Sequence, residues 1–305
     1  LKQVFHTVLN DWDFDMVKLD FLYGVAILPQ KGKSRGQVMW EAMQFLRECV
    51  GEKKILGCGV PLYAAQFTTD FCRIGPDVSL TWNFPLTKFT HHRESISTEI
   101  ALQNSLNRFP LNGHGFLNDP DVFILRDKNT KLTYHQKRTL FIWNQIFGNL
   151  LFTSDDISEY NDSTMQIYLS QFPVLPKEIL KTYKFNDDYI IEFKIYDKKY
   201  TCITNFSPNV KKADWGRTTD VQPYETILLG ENGKTEDLVH DTHIFPASNC
   251  KSIDIQGNNI SISWHEPTKS AGKLTIHVEK DGEYFVNGKG GYWAKNGVVM
   301  VRYGD

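Results

Sequence analysis

Residues 3–12, QVFHTVLNDW, place Val4, Phe5, Val8, Leu9 and Trp12 at helical spacing, and the apolar run DMVKLDFLY follows at once. The segment RGQVMWEAMQFLRECVG repeats the helical period and stops on Gly51, a residue suited to a helix C-terminus, before the short apolar run KILGCG. The same alternation continues through DFCRIGPD (70–77), a helical pattern over 96–109, FLNDPDVFIL (116–125), a second helical pattern over 133–148, and NLLFTSDD (149–156). Five strand-like runs separated by helices or long loops predict a parallel sheet covered by helices.

From about Gln171 the periodicity changes. DDYIIEFKIYDKKYTCITNF and NNISISW alternate apolar and polar at period two, and ENGK, KDGE, VNGK and KNGV supply hairpin-type turns. The expected fold class is therefore α/β plus all-β, with residues 1–172 forming one domain and 173–305 an antiparallel β-sandwich of about seven or eight strands.

The ends of the strand-like runs sharpen that expectation. Lys18 with Asp20, Cys58 with Gly59, Arg73 with Asp77, Asn118 to Asp121, and Ser154 to Asp156 each fall at or near a carboxyl end. In a (β/α)8 TIM barrel that end carries the active site. Five strands fall short of eight, so the first domain is expected to be the carboxyl-terminal part of such a barrel, the chain being a fragment with three strand-helix units upstream of Leu1.

Composition narrows the ligands. Of 305 residues, 41% are hydrophobic, which suffices for sizeable cores, and 34 Lys and Arg stand against 36 Asp and Glu. Without a run of five like charges, neither a nucleic-acid arm nor a membrane patch is expected, and the partner is expected to be a neutral small molecule. No apolar run approaches the roughly 18 residues of a spanning helix. The five cysteines lack CxxC spacing, so they read as reduced thiols, which favours a cytoplasmic location. The histidines form no HxH or HExxH pattern, so neither a metal nor a cofactor is implied. Nothing in the sequence fixes the oligomeric state, and a homo-oligomer is compatible with it.

Lys18 and Asp20 lie two residues apart and so share one strand face. They read either as a partly buried ion pair at a strand end or as part of a site. In RIGPD, Gly75-Pro76 forces a turn that lifts Asp77 off the sheet, with Asp77 closing a turn as the plainer alternative. Asn118, Asp119 and Asp121 read as support for the strand ends, and Asp155 and Asp156 as caps for a following helix. Trp82 is a candidate stacking platform for a ligand ring or a packed loop residue.

Two carboxylates at the ends of different barrel strands are the equipment of a glycosidase. Asp20 suits the ionised role because Lys18 favours its charged form, and Asp77 suits the acid role if its loop is poorly solvated. VKLDFLY, ILGCGVPL, RIGPDV and LNDPDVFILR, in this order, resemble the glycoside hydrolase family 36 α-galactosidases, the melibiase-like group, over about residues 1–160. The resemblance implies Asp20 as nucleophile, Lys18 as a ligand of sugar hydroxyls, Asp77 as general acid/base, Arg73 as a ligand that also orients Asp77, and Cys58 as a contact near the sugar 2-hydroxyl. It implies α-galactosides of the raffinose type as substrates. The aspartate pair and the aromatic residues that the family contributes from earlier strands and an amino-terminal β-sandwich are not among these residues. Two alternatives stand beside this reading: a related α-N-acetylgalactosaminidase, with room at the 2-position beside Cys58, Gly59 and Val60, and a non-catalytic carbohydrate-binding remnant.

Overall fold

A computed structural model describes the chain except for residues 85–88, 91–95, 173, 186–187, 197, 215–217, 231–234, 237–249, 265–271 and 304–305. The chain divides into two compact units, one of Leu1–Ile124, Asn129–Leu132 and Trp143–Ser154, the other of Leu125–Lys128, Thr133–Ile142 and Asp155–Asp305.

In the first unit, β1 (Met16–Leu19), β2 (Lys54–Gly57), β3 (Phe71–Arg73) and β4 (Leu117–Asp119) pair side by side, all parallel, in sequence order. The connections are helical: α1 (Lys2–His6, continued by a π turn Thr7–Asp11) precedes β1, α2 (Arg35–Val50) lies between β1 and β2, α3 (Leu62–Ala65) between β2 and β3, and α4 (Thr98–Arg108) between β3 and β4. α2 begins where Ser34 and Gln37 form a reciprocal capping box and ends on Gly51 at φ 65°.

Alternation along the strands divides the sheet into two faces. On one face Val17, Leu19 and Ile55 pack with Phe5, Leu9 and Val50, while Cys72 and Ile74 join Met39, Met43, Ala64 and Ala65. The alternate positions Lys18, Asp20, Leu56, Cys58, Arg73 and Asp119 belong to the other face.

The single strand expected over 116–125 is broken in two. β4 stops at Asp119, and β5 (Val122–Phe123) pairs in parallel with β6 (Phe152–Thr153) in a separate two-stranded sheet. Pro120 has no N–H to continue the ladder, and Asp121 adopts φ 81°, a conformation incompatible with an extended strand. The helix expected over 133–148 is α5 (Tyr134–Phe147). Gly148 closes it where a Cβ would lie 2.7 Å from Asn144 O and 2.8 Å from Pro120 Cγ.

The second unit holds a short helix α6 (Asp162–Leu169) and then only strands among its described residues. β7 (Lys177–Phe185), β8 (Asp188–Ile195) and β9 (Lys198–Asn205) form an antiparallel meander. β10 (Lys211–Asp214) and β11 (Thr218–Val221) make a separate pair, while β12 (Thr226–Gly230) joins the free side of β9 and carries β13 (Thr235–Glu236). β14 (Cys250–Gln256), β15 (Asn259–Trp264), β17 (Gly282–Val286) and β18 (Lys289–Ala294) form one sheet, and β16 (Gly272–His277) pairs with β19 (Val298–Tyr303). Ile260, Ile262, Tyr284, Val286 and Ala294 from that sheet share a core with Ile276, Val299 and Val301 from the β16–β19 pair.

These strands outnumber the seven or eight expected, and β15 pairs with β17 in parallel, a departure from a purely antiparallel sandwich. VNGK and KNGV form tight turns whose Asn and Gly both have positive φ, the type I′ signature: Asn287 46° with Gly288 79°, and Asn296 56° with Gly297 71°. KDGE does not make a hairpin, because the strands on its two sides pair elsewhere; Asp281 instead accepts the Asn296 and Gly297 N–H groups at 3.0 and 2.7 Å. The ENGK turn lies outside the described residues.

Met43, fully buried between α2 and β3, tests this packing: Met43→Ala is expected to lower stability by about 2–5 kcal/mol in denaturant melts. Ser34→Ala, which removes only the capping box, is expected to lose about 1 kcal/mol.

Candidate active site

Strand register brings four chemically active residues to one level. Leu19 pairs with Gly57, Gly57 with Cys72, and Cys72 with Asn118, so the next residue on each chain path, Asp20, Cys58, Arg73 and Asp119, lies along the carboxyl-terminal edge of the sheet. The Cys58 N–H still bonds to Leu19 O at 2.8 Å, extending the β1–β2 ladder to this level.

Asp20 is exposed, and its Oδ1 accepts the Phe21 N–H at 2.7 Å. A hydrogen bond from the Cys58 side chain does most to hold its carboxyl below the ordinary carboxylate value. Slight burial works the other way, while the Phe21 N–H and the charges of Lys18 and Arg73 reinforce the lowering. Burial and this hydrogen bond push the Cys58 thiol up to about 11, so near neutrality it remains a protonated donor facing an ionised acceptor.

Arg73 is the hub of the other half. Its side chain is only 4% exposed, and each nitrogen meets a different carboxylate: Nε donates to Asp119 Oδ2 at 2.9 Å, Nη1 to Asp77 Oδ1 at 3.0 Å, and Nη2 lies 2.6 Å from Asp121 Oδ1. Asp119 is fully buried and also accepts the Asp121 N–H at 2.9 Å. Asp121 Oδ2 accepts the Val78 N–H at 2.6 Å. Burial raises the Asp121 pKa, against the opposing pull of Arg73.

The Gly75-Pro76 turn carries Asp77 away from the sheet, and its side chain is 71% exposed. The poorly solvated loop expected for Asp77 is not observed: its carboxyl is mostly exposed and accepts a hydrogen bond from Arg73. Gly75 is where β3 runs close to α4, for a Cβ there would stand 3.2 Å from Asn104 Cβ.

The remaining candidates fall in different places. Gly59, at φ 63°, accepts the Tyr23 N–H at 2.7 Å, and a Cβ on it would meet Tyr23 Cδ1 at 3.2 Å and Phe21 Cα at 3.3 Å. Trp82 is 7% exposed, so its ring is packed and offers no open face for sugar stacking. Asn118 is buried on the helix-facing side, its amide donating to Arg108 O at 3.2 Å. Asp156 caps the 3-10 turn Ile157–Glu159 through the Ser158 N–H. Asp155 is not the cap of the following turn; its side chain is buried and accepts from Leu125 N, Arg126 N, Arg126 Nη1 and Tyr160 Oη.

One feature of the rim escaped the pattern reading. Phe21, directly after Asp20, adopts φ 52° and ψ 31°, and its exposed ring meets that of Tyr23 edge to face at 6.1 Å. The only sequence signal was an aromatic residue on either side of Leu22 in a run otherwise typical of a strand. Among the described residues no group of His, Cys, Asp and Glu has the arrangement of a metal site, and no helix is long and apolar enough to cross a membrane.

No family model matches the sequence. Among solved structures, the chain is similar to TtGalA, the α-galactosidase from Thermus thermophilus, in its complex with p-nitrophenyl α-D-galactopyranoside: TM-score 0.53 and 25% identity, over 64% of this chain and 40% of that one. The complex of TtGalA with stachyose aligns over 54% of this chain and 35% of that one, with TM-score 0.48 and 28% identity. The α-galactosidase I from Mortierella vinacea aligns over 73% of this chain and 68% of that one, with TM-score 0.55 and 14% identity, a likeness of fold. The structural neighbours are thus α-galactosidases, and the chain spans 35–40% of the length of the Thermus enzyme.

Two outcomes check the electrostatics. Cys58→Ala is expected to raise the titration midpoint of Asp20 toward the ordinary value of about 3.9, read from its carboxyl carbon by NMR between about pH 2 and 6. Because the folded value is depressed, the stabilisation from these contacts is present above the unfolded pKa and is lost as pH falls through the folded one. Arg73→Met, which strands two buried carboxylates, is expected to destabilise the protein by about 3–5 kcal/mol in denaturant melts.

Proposed function

We propose that the chain carries the nucleophile and the general acid/base of a retaining α-galactosidase, acting on terminal α-galactosides of the raffinose type. The observation that carries this reading is the placement of two motif carboxylates beyond the carboxyl ends of strands of one parallel sheet: Asp20 directly follows β1, and Asp77 follows β3 and is hydrogen-bonded to Arg73. The likeness to TtGalA bound to an aryl α-galactoside supports the same substrate class.

In this reading Asp20 attacks the anomeric carbon as a carboxylate while Asp77 protonates the departing glycosidic oxygen, and a covalent galactosyl ester forms on Asp20. Asp77, now ionised, takes a proton from water, which attacks the same carbon and frees Asp20. Two displacements leave the anomeric configuration unchanged. Lys18 and Cys58 lie beside Asp20 and are assigned to sugar hydroxyls, the protonated thiol serving as a neutral donor to the carboxylate between turnovers. The four-stranded parallel sheet, with helices on one face and these residues at its carboxyl edge, is assigned to the carboxyl-terminal part of a (β/α)8 barrel.

The test is hydrolysis of p-nitrophenyl α-galactoside, with the first-formed anomer followed by proton NMR. Turnover that releases α-galactose first, and that falls about a thousandfold or more in Asp20→Asn, is the expected result. Release of β-galactose first would overturn the double displacement, and binding of galactose without turnover would favour a carbohydrate-binding role.

A further inference from the structure

We propose that Asp121 is a positioning residue for Asp77: its buried carboxylate fixes the turn that carries the acid/base by gripping the backbone just beyond it and the guanidinium that holds it. This inference rests on the reading of Asp77 as the general acid/base.

Asp77 needs such a device. Its side chain is 71% exposed and is tied to the sheet edge by Arg73 Nη1 at 3.0 Å, so enclosure does little to hold the carboxyl in place. A general acid must stand within hydrogen-bond reach of the leaving oxygen, and misplacement by about 1 Å can cost about a hundredfold in rate. Asp121 supplies order from the buried side. One oxygen lies 2.6 Å from Arg73 Nη2, and the other accepts the N–H of Val78, the residue after Asp77, at 2.6 Å. The same side chain therefore holds Asp77 by its tether and by its backbone.

Asp121 is itself held by more contacts than a passive strand end requires. It adopts φ 81°, a conformation that side-chain-bearing residues rarely enter. Its N–H donates to Asp119 Oδ1 at 2.9 Å and its carbonyl accepts from Asn144 Nδ2 at 3.1 Å. Strained backbone kept in place by surrounding contacts is characteristic of functional sites. Asp119 differs: its carboxylate accepts from Arg73 Nε and the Asp121 N–H, both outside the 75–78 turn. The division of labour is that Asp119 anchors Arg73 and Asp121, while Asp121 reaches the Asp77 turn.

The conservative variant Asp121→Asn keeps the shape and an acceptor for Val78 N–H but loses the charge that holds Arg73. Its effect should follow the demand for a proton. With raffinose, whose leaving sugar must be protonated, kcat/KM is expected to fall about tenfold to a hundredfold; with 2,4-dinitrophenyl α-galactoside, whose leaving group needs no acid, the fall should be no more than about threefold. In an Asp77→Asn background, Asp121→Asn should add no further loss on raffinose, because the two act through one carboxyl. Equal losses on both substrates, or a full additional loss in the Asp77→Asn background, would reduce Asp121 to a structural role and overturn the inference. Asp77→Asn is the control for the parent reading. If it shows no dependence on the leaving group, or if the unmodified protein turns over neither substrate, the acid/base assignment falls and this inference falls with it.

Discussion

A single buried guanidinium organises the carboxyl edge of the parallel sheet. Arg73 is placed by β3, opposite Asp119 on β4, and its three nitrogens are divided among Asp119, Asp77 and Asp121. A buried arginine is stable only where its donors are satisfied by anionic acceptors in good geometry, and its planar fork suits three separate carboxylates better than an ammonium could. The arrangement joins the end of one strand, the turn after another and the break between β4 and β5. Three carboxylates to one guanidinium leave excess negative charge, and it is relieved unevenly: Asp77 reaches solvent, Asp119 accepts a backbone N–H as well, and Asp121 is the carboxyl whose pKa burial raises.

The Asp20 side of the site follows a different physical logic. Asp20 sits in the open and is kept ionised by donors and positive charge rather than by enclosure. Cys58 completes the arrangement because its own burial prevents it from ionising, so that a thiol, not a thiolate, faces the carboxylate. The two halves meet through Arg73, which bonds to Asp77 and contributes to the lowered pKa of Asp20. The site thus holds one carboxylate kept ionised by its neighbours and a second, exposed carboxyl on a guanidinium tether.

Helical periodicity located α2 and α4 because each has an apolar stripe that its neighbours bury, and local signals marked their ends, such as Ser34 and Gly51 for α2. VNGK and KNGV were legible for a similarly local reason, since Asn and Gly tolerate the positive φ values of a type I′ turn. Errors arose where local chemistry admitted two outcomes. FLNDPDVFIL is apolar enough for one strand, yet Pro120 and the positive φ of Asp121 split it between two sheets. KDGE has the composition of a hairpin turn, but its flanking strands pair with more distant partners. Trp82 in a polar loop could equally stack or pack, and burial settled it in favour of packing.

The candidate residues themselves were readable from the chain. K-x-D places two side chains on one strand face, and R-I-G-P-D places a carboxylate beyond an enforced turn; both consequences follow from backbone geometry within a few residues. Which carboxylate serves which neighbour was not readable, because the contacts join residues far apart along the chain, 46 positions for Arg73 with Asp119 and 43 for Asp121 with Val78. Such contacts depend on strand register, on where β4 ends and on the depth to which each oxygen is buried, and none of these is encoded within a short window. The sequence thus determined the inventory of chemical groups and the elements that bear them. The tertiary structure alone decided that Asp20 would be exposed and hydrogen-bonded to a neutral thiol, that Asp77 would be exposed and tied to Arg73, and that Asp121 would grip the turn beside it, because hydrogen bonding and desolvation act between groups that only folding brings together.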